Sequence, residues 1–119
     1  MFRIILYGTK KCAETRKAER FFRERQVPIQ AIDLAKKGPS PGELKGIAAR
    51  VGGLAGLVDR EGKRFSKRGL AAAYLTDPDI ERLLLEDPLL MKTPAVRNGA
   101  LATLGPAEAT WREWLQKFR

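Results

Sequence analysis

Along this chain the spacing of apolar positions changes period several times, and each change marks a new element. Residues 2–7 alternate in character and end at Gly8, which predicts a short buried strand. From Ala13 to Arg25 the spacing becomes helical. Ala18, Phe21 and Phe22 share one face, and Glu19 with Arg23 forms an i,i+4 charge pair on another. Pro28 opens a second predicted strand, Ile29 to Leu34. The loop Lys36 to Gly42 follows, with Ser40 placed as an N-cap, Pro41 at the first helical position and Glu43 at the third.

From Glu43 to Leu90 the pattern is helical and interrupted. Leu44, Ile47, Ala48 and Val51 make one amphipathic face that Gly52-Gly53 terminates. Leu54 to Val58 reads as a short helical turn. Asp77-Pro78 begins a helix carrying Ile80, Leu83 and Leu84, and Asp87-Pro88 begins a brief one. Ala95 to Arg97 and Leu101 to Leu104 then flank Asn98-Gly99, a strong two-residue hairpin signal. Trp111, Trp114, Leu115 and Phe118 recur at i, i+3, i+4 and i+7, the spacing of a core-facing stripe on a closing helix.

The resulting order is β-α-β, a helical block, a β-hairpin and a final helix. It predicts an α/β fold: a thioredoxin-like mixed four-stranded sheet with a helical insertion between the β-α-β half and the β-hairpin-α half. One domain, 1–119, is expected, with residues 1–35 and 92–119 as the core and 36–91 as the insertion.

Composition narrows the chemistry. The 119 residues include no histidine, which excludes His-based triads, His proton shuttles and His-containing metal sites. The single cysteine, Cys12, rules out an intramolecular disulfide and a multi-cysteine metal site, so no metal is expected. An unpaired thiol fits a reducing compartment. The apolar stretch at the N-terminus is too short for a signal peptide, and no run approaches membrane-spanning length, so a cytoplasmic protein with no membrane partner is expected. Lys and Arg outnumber Asp and Glu by 23 to 14, a formal net charge of +9 that attracts anions. The charges interleave through Arg16 to Arg25 as on a solvated helix, and no base-reading motif is present. Direct sequence-specific nucleic-acid binding is therefore not expected.

Cys12 lies between the first predicted strand and the first predicted helix. A thiolate at a helix N-terminus is favoured by backbone N–H groups and the helix dipole, and Lys10, Lys11 and Arg16 add positive charge nearby. A thiol pKa below the ordinary value is expected, with Glu14 limiting the drop.

The run Gly8-Thr9-Lys10-Lys11-Cys12-Ala13-Glu14-Thr15-Arg16-Lys17-Ala18 resembles the opening of the ArsC/Spx family. Val27-Pro28, Pro41-Gly42-Glu43-Leu44, Asp87-Pro88-Leu89-Leu90 and Thr93-Pro94 continue the resemblance nearly end to end. That family covers glutaredoxin-dependent arsenate reductases and Spx-type transcriptional regulators. The resemblance implies Cys12 as nucleophile and Thr15 as the hydrogen-bond donor to its thiolate, in the place of the second cysteine of redox-switched Spx proteins. Arg16 matches the basic residue after the motif. Lys11 and Arg60 are the anion-binding candidates, and Pro94 matches the cis-proline facing the nucleophile. No bound cofactor is implied. Glutathione is the implied co-substrate, with glutathione, glutaredoxin or thioredoxin as the resolving partner.

Departures shape the expected activity. Thr93 stands where the reductases carry an arginine, and Leu101 to Leu104 lack a further hairpin arginine. Glu14 places a carboxylate where an oxyanion would be cradled. Losing charge-assisted pairs weakens a tetrahedral anion most. The expectation is an arsenate-reductase-like thiol-disulfide oxidoreductase that reduces arsenate poorly. The alternative is an Spx-like regulator that binds RNA polymerase through the insertion and its Gly52-Gly53 corner.

Overall fold

The computed structural model describes residues 4–118. Among them, strands β1 (Ile4–Gly8), β2 (Ile29–Asp33), β3 (Ala95–Asn98) and β4 (Leu101–Leu104) form one sheet in the order β2-β1-β3-β4. β1 runs parallel to β2 and antiparallel to β3, and β3 is antiparallel to β4. This is the mixed, thioredoxin-like sheet expected from the order of elements. Residues 2 and 3 of the first predicted strand lie outside the described residues.

Helices α1 (Ala13–Glu24) and α5 (Glu108–Phe118) complete this half. Their apolar faces form a core with β1 and β3, in which Ile4, Leu6, Ala18, Phe21, Phe22, Val96, Trp111 and Trp114 are buried. The rings of Phe21 and Phe22 meet edge to face with centroids 5.1 Å apart, and Phe22 lies 5.4 Å from Trp111. Trp111 Nε1–H donates to Thr103 Oγ1 at 2.9 Å, so the polar end of this buried indole has a partner on β4. Trp111 and Trp114 thus occupy the core as the stripe predicts. The Phe118 side chain lies outside the described residues.

The chain divides into two compact units, Met1–Asp33 with Thr93–Arg119, and Leu34–Lys92. The second unit holds α2 (Pro41–Val51), α3 (Lys63–Lys67) and α4 (Asp77–Glu86), with 3-10 turns at Leu54–Leu57, Leu70–Ala72 and Pro88–Leu90. Ser40 accepts from Glu43 N–H while the Glu43 carboxylate accepts from Ser40 N–H, a reciprocal cap that starts α2. Gly52 ends α2 in the left-handed region at φ +96°. Leu44, Ile47 and Ala48 are buried as expected, but Val51 is partly exposed in the last turn.

α4 begins at Asp77 as predicted, and Thr76 and Asp79 bond reciprocally at its cap. Two details differ from the sequence reading. α3 shows no apolar period in the sequence, because Phe65 alone among its five residues is buried. The hairpin turn is Gly99-Ala100 and not Asn98-Gly99, since Asn98 pairs with Leu101. Gly99 takes φ +58° at the first central position, where a positive φ favours glycine.

Candidate functional site

β1 delivers the chain into a tight turn in which Cys12 N–H donates to Thr9 O at 3.2 Å. Cys12 then becomes the N-cap of α1, its carbonyl accepting from Arg16 N–H at 3.1 Å. The sulfur is therefore fixed by backbone at the end of a strand and the start of a helix, half-buried. From 81 residues along the chain, Thr93 brings its hydroxyl to the same sulfur, and Oγ1–H donates to Cys12 Sγ at 3.2 Å. The Thr93–Pro94 peptide bond is cis, and Pro94 O accepts from Gly105 N–H at 2.8 Å.

Thr15, one turn into α1, is buried, and its Oγ1 has no hydrogen-bond partner among the described residues. It lies against Gly8, where an added Cβ would collide with Thr15 Cγ2 and Oγ1. Glycine at the end of β1 is what lets the Thr15 side chain occupy that place. A buried hydroxyl without a partner is costly, and it is available to donate when Cys12 ionises.

Burial pushes the Cys12 thiol up, but the Thr15 and Thr93 hydroxyls and the amides of Thr15 and Glu14 hold it below its ordinary value. The two amides belong to the first turn of α1, so the helix N-terminus acts as expected. The cations do not. Lys10 and Lys11 are exposed, and Arg16 turns a guanidinium N–H to Lys10 O at 2.6 Å, bracing the turn before Cys12. What lowers the thiol is a set of neutral donors, two hydroxyls and two backbone amides. The Glu14 carboxylate is engaged by Lys17 Nζ at 3.3 Å.

The structure thus gathers Cys12, Thr15 and Thr93 at one point, followed by Pro94. Arg16 supports the loop. Arg60 belongs to the other unit, where its guanidinium lies 5.9 Å from the Phe65 ring centroid and lines a concavity with Asp59, Glu61 and Lys92. Thr93 as a donor to sulfur is the site residue that sequence reasoning missed, since the sequence shows it only as a lost arginine. Its place immediately before the hairpin proline was the available signal.

Fold and site define a thioredoxin-like protein with its one cysteine at a helix cap. The chain belongs to the ArsC family, whose model matches residues 7–114. It is 26% identical over 113 residues to the uncharacterized protein YusI of Bacillus subtilis, covering 92% of this chain and 96% of that one. Against the global transcriptional regulator Spx 2 of Bacillus anthracis the identity is 23% over 115 residues, covering 96% and 88%. The solution structure of SACOL0876 from Staphylococcus aureus matches with a TM-score of 0.73 and 30% identity, covering 92% of this chain and 96% of that one.

Proposed function

We propose that this protein is a thiol-disulfide oxidoreductase working through Cys12 alone, with glutathione disulfide or a protein disulfide as the oxidised substrate. The Cys12 thiolate attacks one sulfur of the substrate; a new S–S bond forms, the old one breaks, and the departing thiolate takes a proton from water. A second thiol, from glutathione or a redoxin such as glutaredoxin or thioredoxin, then attacks the mixed disulfide and returns Cys12 as thiolate. The chain has no second cysteine, so this resolving thiol comes from another molecule. Such a cycle fits the reducing cytoplasm.

The observation that carries the reading is the Thr93 Oγ1–H to Cys12 Sγ bond at 3.2 Å, which favours the ionised sulfur. It also argues against efficient arsenate chemistry. A neutral hydroxyl stabilises a thiolate without adding the positive charge that a tetrahedral oxyanion requires. Mass spectrometry after exposure to glutathione disulfide tests the proposal. One glutathionyl adduct on the wild type, absent in Cys12→Ser and removed by a reduced redoxin, is expected. A wild-type chain that stays unmodified under saturating glutathione disulfide would sink it.

Similarity to Spx 2 supports a second reading, a regulator that binds RNA polymerase. Its contact would be the corner at Gly52 (φ +96°) and Gly53 (φ +121°), backbone that residues with a Cβ rarely adopt. Co-purification of polymerase subunits that is lost in Gly52→Arg, without glutathione turnover, would favour this reading over the first.

A further inference from the structure

α3 carries a different chemistry from Cys12. Lys63, Arg64, Lys67 and Arg68 line a concavity of about 340 Å³ with no carboxylate in its wall. The i,i+4 spacing stacks Lys63 with Lys67 and Arg64 with Arg68, like charges whose Cβ atoms lie roughly 5–6 Å apart. Such pairs oppose helix formation unless an anion answers them. Asp87 answers only the arginines. It accepts from Arg64 Nε at 2.9 and 2.8 Å and from Arg68 Nη1 at 3.1 Å. The Asp87 side chain is 12% exposed, whereas those of Arg64 and Arg68 are 50% and 39% exposed. The carboxylate therefore fixes two guanidinium groups in place while leaving them open to solvent. Lys63 and Lys67 are exposed and have no ion pair among the described residues.

We infer that the concavity lined by Lys63, Arg64, Lys67 and Arg68 docks the phosphodiester backbone of a nucleic acid, independently of its sequence. Guanidinium forks match phosphate oxygens in pairs, and the lysines supply mobile point charges beside them. The net charge of +9 draws polyanions towards the chain before contact. A single free phosphate would meet only solvated side chains, but linked phosphates gain from releasing many counterions at once. The wall holds no large apolar side chain of the kind that anchors a helix in a membrane interface. It also offers no arrangement for reading base edges, so the surface senses backbone alone. None of this involves Cys12.

Anisotropy of a labelled, mixed-sequence DNA duplex, measured over a series of salt concentrations, tests the inference. Lys63→Gln/Lys67→Gln removes two unpaired cations, and Lys36→Gln/Lys37→Gln removes the same charge from an exposed loop. Circular dichroism melts establish that both variants are folded. The first variant should bind several-fold more weakly, with a log K against log salt slope shallower by roughly 2, at ~0.9 per lost phosphate contact. The second variant and Cys12→Ser should bind as the wild type does. Equal losses in the two double variants would overturn the inference, because net charge alone would then explain binding. So would the absence of duplex binding near physiological salt, or full displacement by inorganic phosphate at matched ionic strength. Capture by phosphatidylserine vesicles that depends on Lys63 and Lys67, with duplex binding unaffected by them, would overturn it in favour of a membrane surface.

Discussion

Thr93 Oγ1–H donates to Cys12 Sγ at 3.2 Å, joining the residue before the hairpin proline to the cap of the first helix. The bond links the two halves of the thioredoxin-like core at Cys12. Because the donor is neutral and half-buried, it favours the thiolate without being lost to salt screening, as an exposed cation would be. Thr93→Val should raise the inflection of an alkylation-rate titration and slow alkylation near neutral pH several-fold. Thr93→Ser should restore both. If Val and Thr behave alike, the hydroxyl has no part in activating Cys12.

Gly8 and Thr15 should be coupled. A methyl group at position 8 collides with the Thr15 side chain, so Gly8→Ala should cost about 1–3 kcal/mol, the range for overpacking a core. Displacing Thr15 should also raise the Cys12 inflection. In a Thr15→Ala background the stability cost of Gly8→Ala should largely vanish, leaving a coupling energy of about 1 kcal/mol or more in denaturant titrations. Strict additivity of the two substitutions would refute this contact.

The wild type should reduce arsenate very slowly, even when supplied with glutathione and glutaredoxin. Glu14→Thr with Thr93→Arg exchanges a carboxylate for a hydroxyl and adds a guanidinium beside the sulfur, and it should raise arsenate turnover. Fast wild-type turnover that collapses only in Cys12→Ser would contradict the argument from charge.

Asp87 lies below the usual carboxylate range: burial raises it, but the hydrogen bonds and charges of Arg64 and Arg68 outweigh that. Asp79 is lowered too, by the Thr76 amide and hydroxyl and then by Arg82. A carboxylate with a depressed folded pKa stabilises the fold above its unfolded value of about 3.9, and that contribution is lost as pH falls through the folded value. Thermal midpoints should therefore drop on acidification below about pH 4. Asp87→Asn should flatten part of that dependence, modestly because its arginine partners are solvated. An unchanged acid limb in Asp87→Asn would remove Asp87 from this account.

Thr103 serves the buried indole of Trp111. Thr103→Val leaves its N–H unsatisfied and should cost about 1–3 kcal/mol, whereas Trp111→Ala should cost about 3–5 kcal/mol through the cavity it opens. Urea midpoints measure both. A neutral Thr103→Val would mean that water replaces the lost acceptor.

Features that depend on neighbours a few residues apart are legible in the chain alone. Ser40 and Glu43 signal their reciprocal cap because both partners fall within one helical turn. Trp111 and Trp114 announce their shared face by spacing alone, and the absence of histidine and of a second cysteine restricts the chemistry to one thiol. Features set by distant partners stayed hidden. The pairing of Ala95 with Leu104 placed the hairpin turn at Gly99-Ala100, one residue beyond the local signal. α3 has too few apolar positions to show a period, and its arginines are held by Asp87, 19 and 23 residues away. At Cys12 the sequence located the thiol and the direction of its shift but assigned much of the effect to adjacent cations. Those charges face water, which screens them, while the hydroxyl that reaches the sulfur comes from Thr93, 81 residues away, and is brought there by the folding of the chain.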